Sequence, residues 1–220
     1  APVQVAAIDD SRKKLSAAFN KMSSRSELPN LITTLGLLNE GVEVGVRAGE
    51  FSKWILGHCS VAMMHMVDPW ELQDKKLYHD ISNRDQKHQD KLYNNLNDYM
   101  DTPHRGRYQL HRGYSVEKAK DFKDNSLDFV YLDARHDYAG VKEDLEAWWP
   151  KLKQGGLFAG HDFVPDGNLK EGAFGVQKAV WEFCSLKHKE YLSISSKMPH
   201  GGRQEPQHVD GGWTSWYFIK

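Results

Sequence analysis

The segment Gly41-Val-Glu-Val-Gly-Val-Arg-Ala-Gly-Glu-Phe-Ser52 constrains this chain more than any other, because it carries an apolar strand into a helix through a loop punctuated by Gly45 and Gly49. Glycines there let backbone pass close to a ligand where a Cβ would collide, and Glu43 puts a carboxylate at the strand end. The spacing is Glu-x-Gly-x-x-x-Gly, which differs from the Gly-x-Gly-x-x-Gly that seats a pyrophosphate on a helix N-terminus. It suits a nucleoside ligand with a cationic centre and an amino-acid end, and no phosphates. The same glycines would also serve a tight strand-to-helix turn in any α/β protein, so other residues must decide.

At 220 residues, with 40% hydrophobic and 27% charged, the chain can bury one sizeable core and reads as a single domain over 1–220. A net charge of −1 argues against a nucleic-acid partner, since phosphates are bound by clustered Lys and Arg. No apolar run approaches about 18 residues, so no membrane span is expected. Cys59 and Cys184 are too few for a disulfide scaffold, which points to a reducing compartment such as the cytoplasm; a removed targeting segment would leave no trace.

Apolar β-rich runs alternate with amphipathic segments, the pattern of a parallel sheet covered by helices on both faces. Residues 9–24 and 31–38 read as helices of an N-terminal segment over 1–40, and Val42–Val46 as the first strand. Glu50–His58 follows as a helix, and Val61–Val67 as the next strand, stopped at Asp68-Pro69-Trp70. Residues 71–105 are polar apart from Leu77, Ile81, Leu92, Leu96 and Met100. This length reads as an inserted helical segment, either a lid or a solvated helix on the sheet edge. A strand near Tyr108–Leu110 and a helix over Val116–Phe122 come next, then a strand over Leu127–Asp133. A helix over Val141–Leu152, closed by Gly155-Gly156, leads to a strand over Leu157–Gly160. A helix over Val176–Cys184, a loop over Pro199–Gly212 and a closing strand over Trp213–Ile219 complete the chain.

The polar residues gather at strand ends. Asp68 stands where an acidic residue ending the second strand can accept hydrogen bonds from ribose hydroxyls, or serves as an ordinary turn aspartate before proline. Ser115 is placed as a helix N-cap and could also meet an adenine edge. Asp133, His161 and Asp162 could hold a hard divalent cation such as Mg²⁺, although His161 suits it less than a carboxylate would. Without a metal, His136 or His161 could act as general base.

Val42-Glu-Val-Gly-Val-Arg-Ala-Gly-Glu-Phe-Ser52, Val67-Asp-Pro-Trp70, Asp133-Ala-Arg-His-Asp-Tyr138, Gly155-Gly156 and Gly160-His-Asp162 together resemble class I S-adenosylmethionine-dependent methyltransferases. The closest branch is that of small O-methyltransferases with Asp-x-x-His-x-Tyr after the fourth strand. The resemblance covers roughly residues 40–185 and the final strand. It implies a Rossmann-like, doubly wound, seven-stranded sheet, mostly parallel with the last strand antiparallel. It also implies S-adenosylmethionine as cofactor, bound by Glu43, Gly45, Val46, Arg47, Gly49, Asp68, Trp70, Ser115 and Asp133. Arg47 departs from the pattern, standing where many members have a further glycine; Tyr114 stands where an acidic residue often precedes the serine.

The expected reaction is methyl transfer to an oxygen of a small molecule, with Asp133, His136 and His161 as catalytic candidates and a divalent metal on Asp133, His161 and Asp162. Two rivals stand beside it. A nicotinamide-dependent oxidoreductase would want the denser glycine fingerprint, and a noncatalytic binding or assembly protein could use the same scaffold. The methyl acceptor and the oligomeric state are not written in the sequence.

Overall fold

Seven runs of this chain form one sheet. In a computed structural model, which describes residues 24–75, 78, 80, 82–169, 172–189, 192–194 and 214–220, these runs are β1 (Glu40–Val44), β2 (Met63–Asp68), β3 (Tyr108–Arg112), β4 (Leu127–Leu132), β5 (Leu152–Gly160), β8 (Leu192–Ile194) and β9 (Ser215–Ile219). A separate hairpin pairs β6 (Gly167–Leu169) with β7 (Gly172–Phe174). The helices are α1 (Leu28–Thr34), α2 (Glu50–His58), α3 (Gln86–Met100), α4 (Ser115–Ala119), α5 (Tyr138–Trp148) and α6 (Val176–Lys187).

The strand order is β3-β2-β1-β4-β5-β9-β8. β1 to β5 pair in parallel, while β9 runs antiparallel to both β5 and β8. Six strands of five residues or more carry the sheet, and the three-residue β8 completes its edge. Parallel strands must be covered on both faces, and two apolar clusters do so. On one face Leu31, Ile55, Leu96 and Met100 from α1, α2 and α3 pack over Met64, Met66 and Tyr131. On the other, Leu145, Trp148 and Val180 from α5 and α6 pack over Val44, Val130 and Phe158. Each such large side chain, fully withdrawn from water, stabilises the fold by about 1.5–3 kcal/mol.

The doubly wound expectation therefore holds, with differences that have local causes. Gly155-Gly156 do not close α5. Pro150 and a 3₁₀ turn at Trp149–Lys151 end it, and the glycines lie inside β5. There the pairing with β4 slips, and Gly155 and Gly156 exchange backbone bonds of 3.2 and 3.0 Å with Lys220. The inserted segment yields α3, whose Leu96 and Met100 are wholly buried, so it packs on a sheet face and not as a solvated edge helix. β8 and the β6–β7 hairpin are too short for periodicity to reveal. The expected helix over most of 9–24, the positions Leu77 and Ile81, the loop over Pro199–Gly212 and the strand start at Trp213 lie outside the described residues. Among the described residues, no helix is long and apolar enough to cross a membrane.

Candidate active site

The order of strands reverses between β1 and β4, and connections leave the sheet in opposite directions there. A crevice of about 800 Å³ opens at this point. Its floor is the end of β1. Glu43 is 2% exposed and accepts a hydrogen bond from the Ser52 hydroxyl of α2. Burial pushes the Glu43 carboxyl up to about 8; the Ser52 bond opposes this and the nearby Asp133 adds to it. Gly45 follows at φ 88°, and any Cβ there would run into the Asp133 carbonyl, because the Asp133 N–H is drawn to the Val44 carbonyl at 2.7 Å.

Asp68 ties the loop to β2. Its Oδ2 accepts the N–H groups of Val46 and Arg47, both at 2.9 Å, and its Oδ1 accepts that of Trp70 at 2.7 Å. These bonds hold Arg47 at φ 53°, a left-handed conformation that favours glycine. That explains how an arginine stands where the resemblance expected a glycine. Glu43, Gly45, Val46, Arg47, Asp68, Ser115 and Asp133 thus all line one crevice.

Two residues of the expected cofactor set do not. Trp70 is fully buried behind the wall, where its indole N–H donates to the Arg47 carbonyl at 2.8 Å and its ring meets Tyr93 edge-on. Gly49, at φ 74°, is the N-cap of α2, and its missing side chain makes room for Leu96 of α3. Its freedom serves helix packing and not a ligand. Ser115 lines the crevice but is not the N-cap expected of it. Tyr114 is the N-cap of α4, and the Ser115 hydroxyl donates to Asp144 while accepting from Trp148 Nε1 at 2.9 Å. Burial lifts Asp144 to about 7, against the opposing Ser115 bond.

At the ends of β4 and β5 the side chains form a charged knot. His136 Nε2 lies 2.8 Å from Asp162 Oδ2 and 3.7 Å from Asp133 Oδ1, and its Nδ1 lies 3.3 Å from Asp80 Oδ2. Burial disfavours a charged ring, but the nearby carboxylates of Asp133, Asp162 and Asp80 outweigh it and raise His136 well above the ordinary imidazole value, although Nε2 meets no partner in hydrogen-bond geometry among the described residues. The same contacts overcome burial to hold Asp162 and Asp80 below the carboxylate range. Phe174, delivered by the hairpin, stacks flat on His136 at 5.1 Å. His161 also lines the crevice, with Nδ1 3.9 Å from Asp133 Oδ2. Its Nδ1 meets Asp162 Oδ1 at 3.0 Å, and its Nε2 is buried with no hydrogen-bond partner among the described residues.

The metal-competent cluster differs from the expected one. Asp133, His136 and Asp162 bring three ligand atoms within 4.8 Å of one another, so His136 takes the place assigned to His161. Asp80 and Arg25 were missed altogether. Asp80 arrives from the polar insertion, where no periodicity marks it. Arg25 reaches Asp133 Oδ2 at 2.9 Å and the Tyr131 hydroxyl at 3.2 Å from a part of the chain read only as helical.

Residues 42–163 match the family described as a methyltransferase domain. The chain belongs to the methyltransferase domain family. The matched span runs from the floor of the crevice at Glu43 to Asp162 and leaves out Arg25 and Phe174. The architecture is that of class I S-adenosylmethionine-dependent methyltransferases, and solved O-methyltransferases share it. The O-methyltransferase TomG of Streptomyces achromogenes, involved in tomaymycin synthesis and solved with S-adenosylmethionine, superposes with a TM-score of 0.58 at 11% identity, covering 89% of this chain and 79% of that one. An O-methyltransferase of Bacillus cereus, solved with S-adenosylhomocysteine, gives 0.55 at 14% identity, over 95% of this chain and 88% of the other. At these identities the likeness is one of fold. An uncharacterized protein of Sinorhizobium fredii, y4gI, is 35% identical over 93 residues, 42% of this methyltransferase domain chain; the chain spans only 9% of that protein's length.

Proposed function

We propose that the chain transfers the methyl group of S-adenosylmethionine to a hydroxyl oxygen of a small molecule. The observation that carries this reading is the convergence of Glu43, Asp68 and Asp133 on one crevice at the β1–β4 switch point. Its volume falls within the range of about 300–1,000 Å³ that suits a small-molecule ligand. Family membership and the ligands of the two solved relatives support the choice of cofactor.

In this reading the amino-acid end lies toward Glu43 and Asp133, the ribose toward Asp68 and the adenine toward Ser115. A carboxylate offers about four acceptor sites, and backbone N–H groups take three of those on Asp68. Asp68 then receives one ribose hydroxyl and not two. The sulfonium makes the methyl electrophilic, so the protein's task is to align the acceptor oxygen and manage its proton. The surrounding aspartates raise His136 well above the ordinary imidazole value, which favours the cationic ring over a resting base. His136 works instead as a cation that stabilises the negative charge developing on the oxygen, so that the hydroxyl proton can pass to water. As an alternative, with the His136 ring neutral, two carboxylates and an imidazole would fit a divalent cation: Asp133, His136 and Asp162 would hold it, and it would supply Lewis acidity to the acceptor oxygen.

Titration calorimetry with S-adenosylmethionine and S-adenosylhomocysteine tests the cofactor, and transfer of labelled methyl to a panel of phenols, sugars and carboxylates tests the reaction. Absence of binding to either adenosyl ligand removes the proposal. Binding without transfer to any acceptor favours a noncatalytic role on the same scaffold.

A further inference from the structure

We infer that the methyl acceptor is a hydroxyl compound of zero or positive charge, and that the crevice turns away acceptors bearing a carboxylate or a phosphate. The inference rests on the reading of the crevice as a methyl-transfer site, and it narrows the acceptor class which that reading leaves open.

Charge is the first ground. Ten of the residues lining the crevice carry a carboxyl group and three carry a guanidinium. Burial keeps a proton on Glu43 up to about 8 and on Asp144 up to about 7, and against burial the aspartates around His136 favour its charged ring. Even with these three groups protonated, eight carboxylates face four cations. One of the four, Arg135, is also paired at 2.9 Å with Asp137, which lies outside the lining. S-adenosylmethionine brings one net positive charge, its sulfonium, so the crevice stays acidic with the cofactor in place. Walls of low dielectric focus such a field, and an anionic group on the acceptor would meet it directly.

Hydrogen bonding is the second, and it is independent of charge. An anion needs donors, and those of the inserted segment are turned elsewhere. The Ser82 hydroxyl donates to Asp80 at 2.6 Å, the Asn83 amide to the carbonyls of Gln73 and Tyr78 at 3.1 and 2.9 Å, and the Gln89 amide to the Ser82 carbonyl at 3.0 Å. The crevice offers an unfilled acceptor in their place. His161 is 7% exposed, and its Nδ1 meets Asp162 Oδ1 at 3.0 Å. An ionised carboxylate only accepts, so the hydrogen sits on Nδ1, and in the neutral ring Nε2 keeps a lone pair. That nitrogen is buried with no hydrogen-bond partner among the described residues. A hydroxyl or an ammonium can donate to it, whereas a carboxylate or a phosphate dianion would leave it unsatisfied.

The test is methyl transfer from labelled S-adenosylmethionine to a library of matched triplets: phenols, sugars and aliphatic alcohols, each present as the parent compound, its amine and its carboxylate. In the triplets that react, kcat/KM for the parent or the amine should exceed that for the carboxylate at least about tenfold at low ionic strength, and the ratio should shrink about threefold or more in about 0.5 M salt. Glu50, Glu71 and Glu117 line the crevice from exposed positions. Glu50→Gln, Glu71→Gln and Glu117→Gln combined in one chain should shrink the ratio at low ionic strength as well; if that chain does not fold, the salt series decides. A carboxylate that reacts as fast as its parent at low ionic strength, or a ratio altered by neither salt nor the substitutions, overturns the inference and leaves methyl transfer standing. If no member of the library is methylated, the methyl-transfer reading falls and this inference falls with it.

Discussion

Nε2 of His136 lies 2.8 Å from Oδ2 of Asp162. The other ring nitrogen reaches Asp80, so one imidazole joins the end of β5 to the inserted segment across the crevice mouth. Removing it leaves Asp80, Asp133 and Asp162 facing one another with a central cation gone. His136→Ala should therefore cost about 3 kcal/mol of stability, as expected when one partner of a largely buried ion pair is lost. Methyl transfer should fall about a hundredfold or more. Calorimetric unfolding and turnover at saturating acceptor measure both; an unchanged melting temperature argues that the ring is not cationic.

Glu43 holds its proton up to about 8 in the folded protein, whereas an unfolded glutamate releases it near 4.5. Between those values the folded state binds more protons, so this residue's contribution to stability is complete below 4.5 and lost as pH rises through 8. Glu43→Gln should flatten that decline in a series of chemical denaturation curves. A cationic ligand beside Glu43 favours the ionised form. Binding of S-adenosylmethionine at pH 7 should then release up to about one proton, seen as a dependence of the calorimetric enthalpy on buffer ionisation. Buffer-independent heats at pH 7 would sink the idea.

Gly45 and Gly49 should separate cleanly. In Gly45→Ala the new Cβ meets backbone, the Asp133 carbonyl, at a positive φ, so a loss of at least about 2 kcal/mol together with cofactor affinity is expected. In Gly49→Ala the new Cβ meets the tip of Leu96, a side chain that can move. Stability should drop by about 1–2 kcal/mol while affinity for S-adenosylhomocysteine changes little, and Leu96→Ala in the same chain should offset part of the loss. Equal effects on binding from both substitutions would return Gly49 to the cofactor site.

Away from the crevice, His65 on β2 and His111 on β3 meet at 2.9 Å beside Phe122. Burial lowers both, and the nearby His65 helps bring His111 down to about 4. The unfolded chain binds these protons first, so stability is complete above about 6.5 and falls as pH drops toward 4. His111→Phe should reduce that slope in urea titrations at pH 4.5, 5.5 and 7.

What the sequence revealed follows from how locally each feature is encoded. α2 was placed at its observed bounds because Gly49 and the break at Cys59 punctuate a contiguous apolar stripe. Asp68 and Asp133 were legible because strand ends in such sheets meet at one edge whatever the loops do. Trp70 was misread because facing into or out of a crevice depends on a φ of 41°, which no spacing encodes. The exchange of His161 for His136 has a similar cause. Both histidines follow strand ends and reach Asp162, and the packing that lays Phe174 flat on His136 goes with the ring that stands among Asp80, Asp133 and Asp162. Asp80 and Arg25 lie far along the chain from the groups they touch, and a single sequence carries no pairing signal of that kind.

β9 is made after β8 yet sits between β5 and β8. During synthesis the flank of β5, with Leu157 and Phe158, must wait unpaired until Ser215–Ile219 leaves the ribosome, and β8 has no neighbour to join before then. The nascent polypeptide therefore carries a sticky, half-finished edge from the emergence of β5 until β9 follows, and a ribosome stalled between the two would strand a product prone to aggregate.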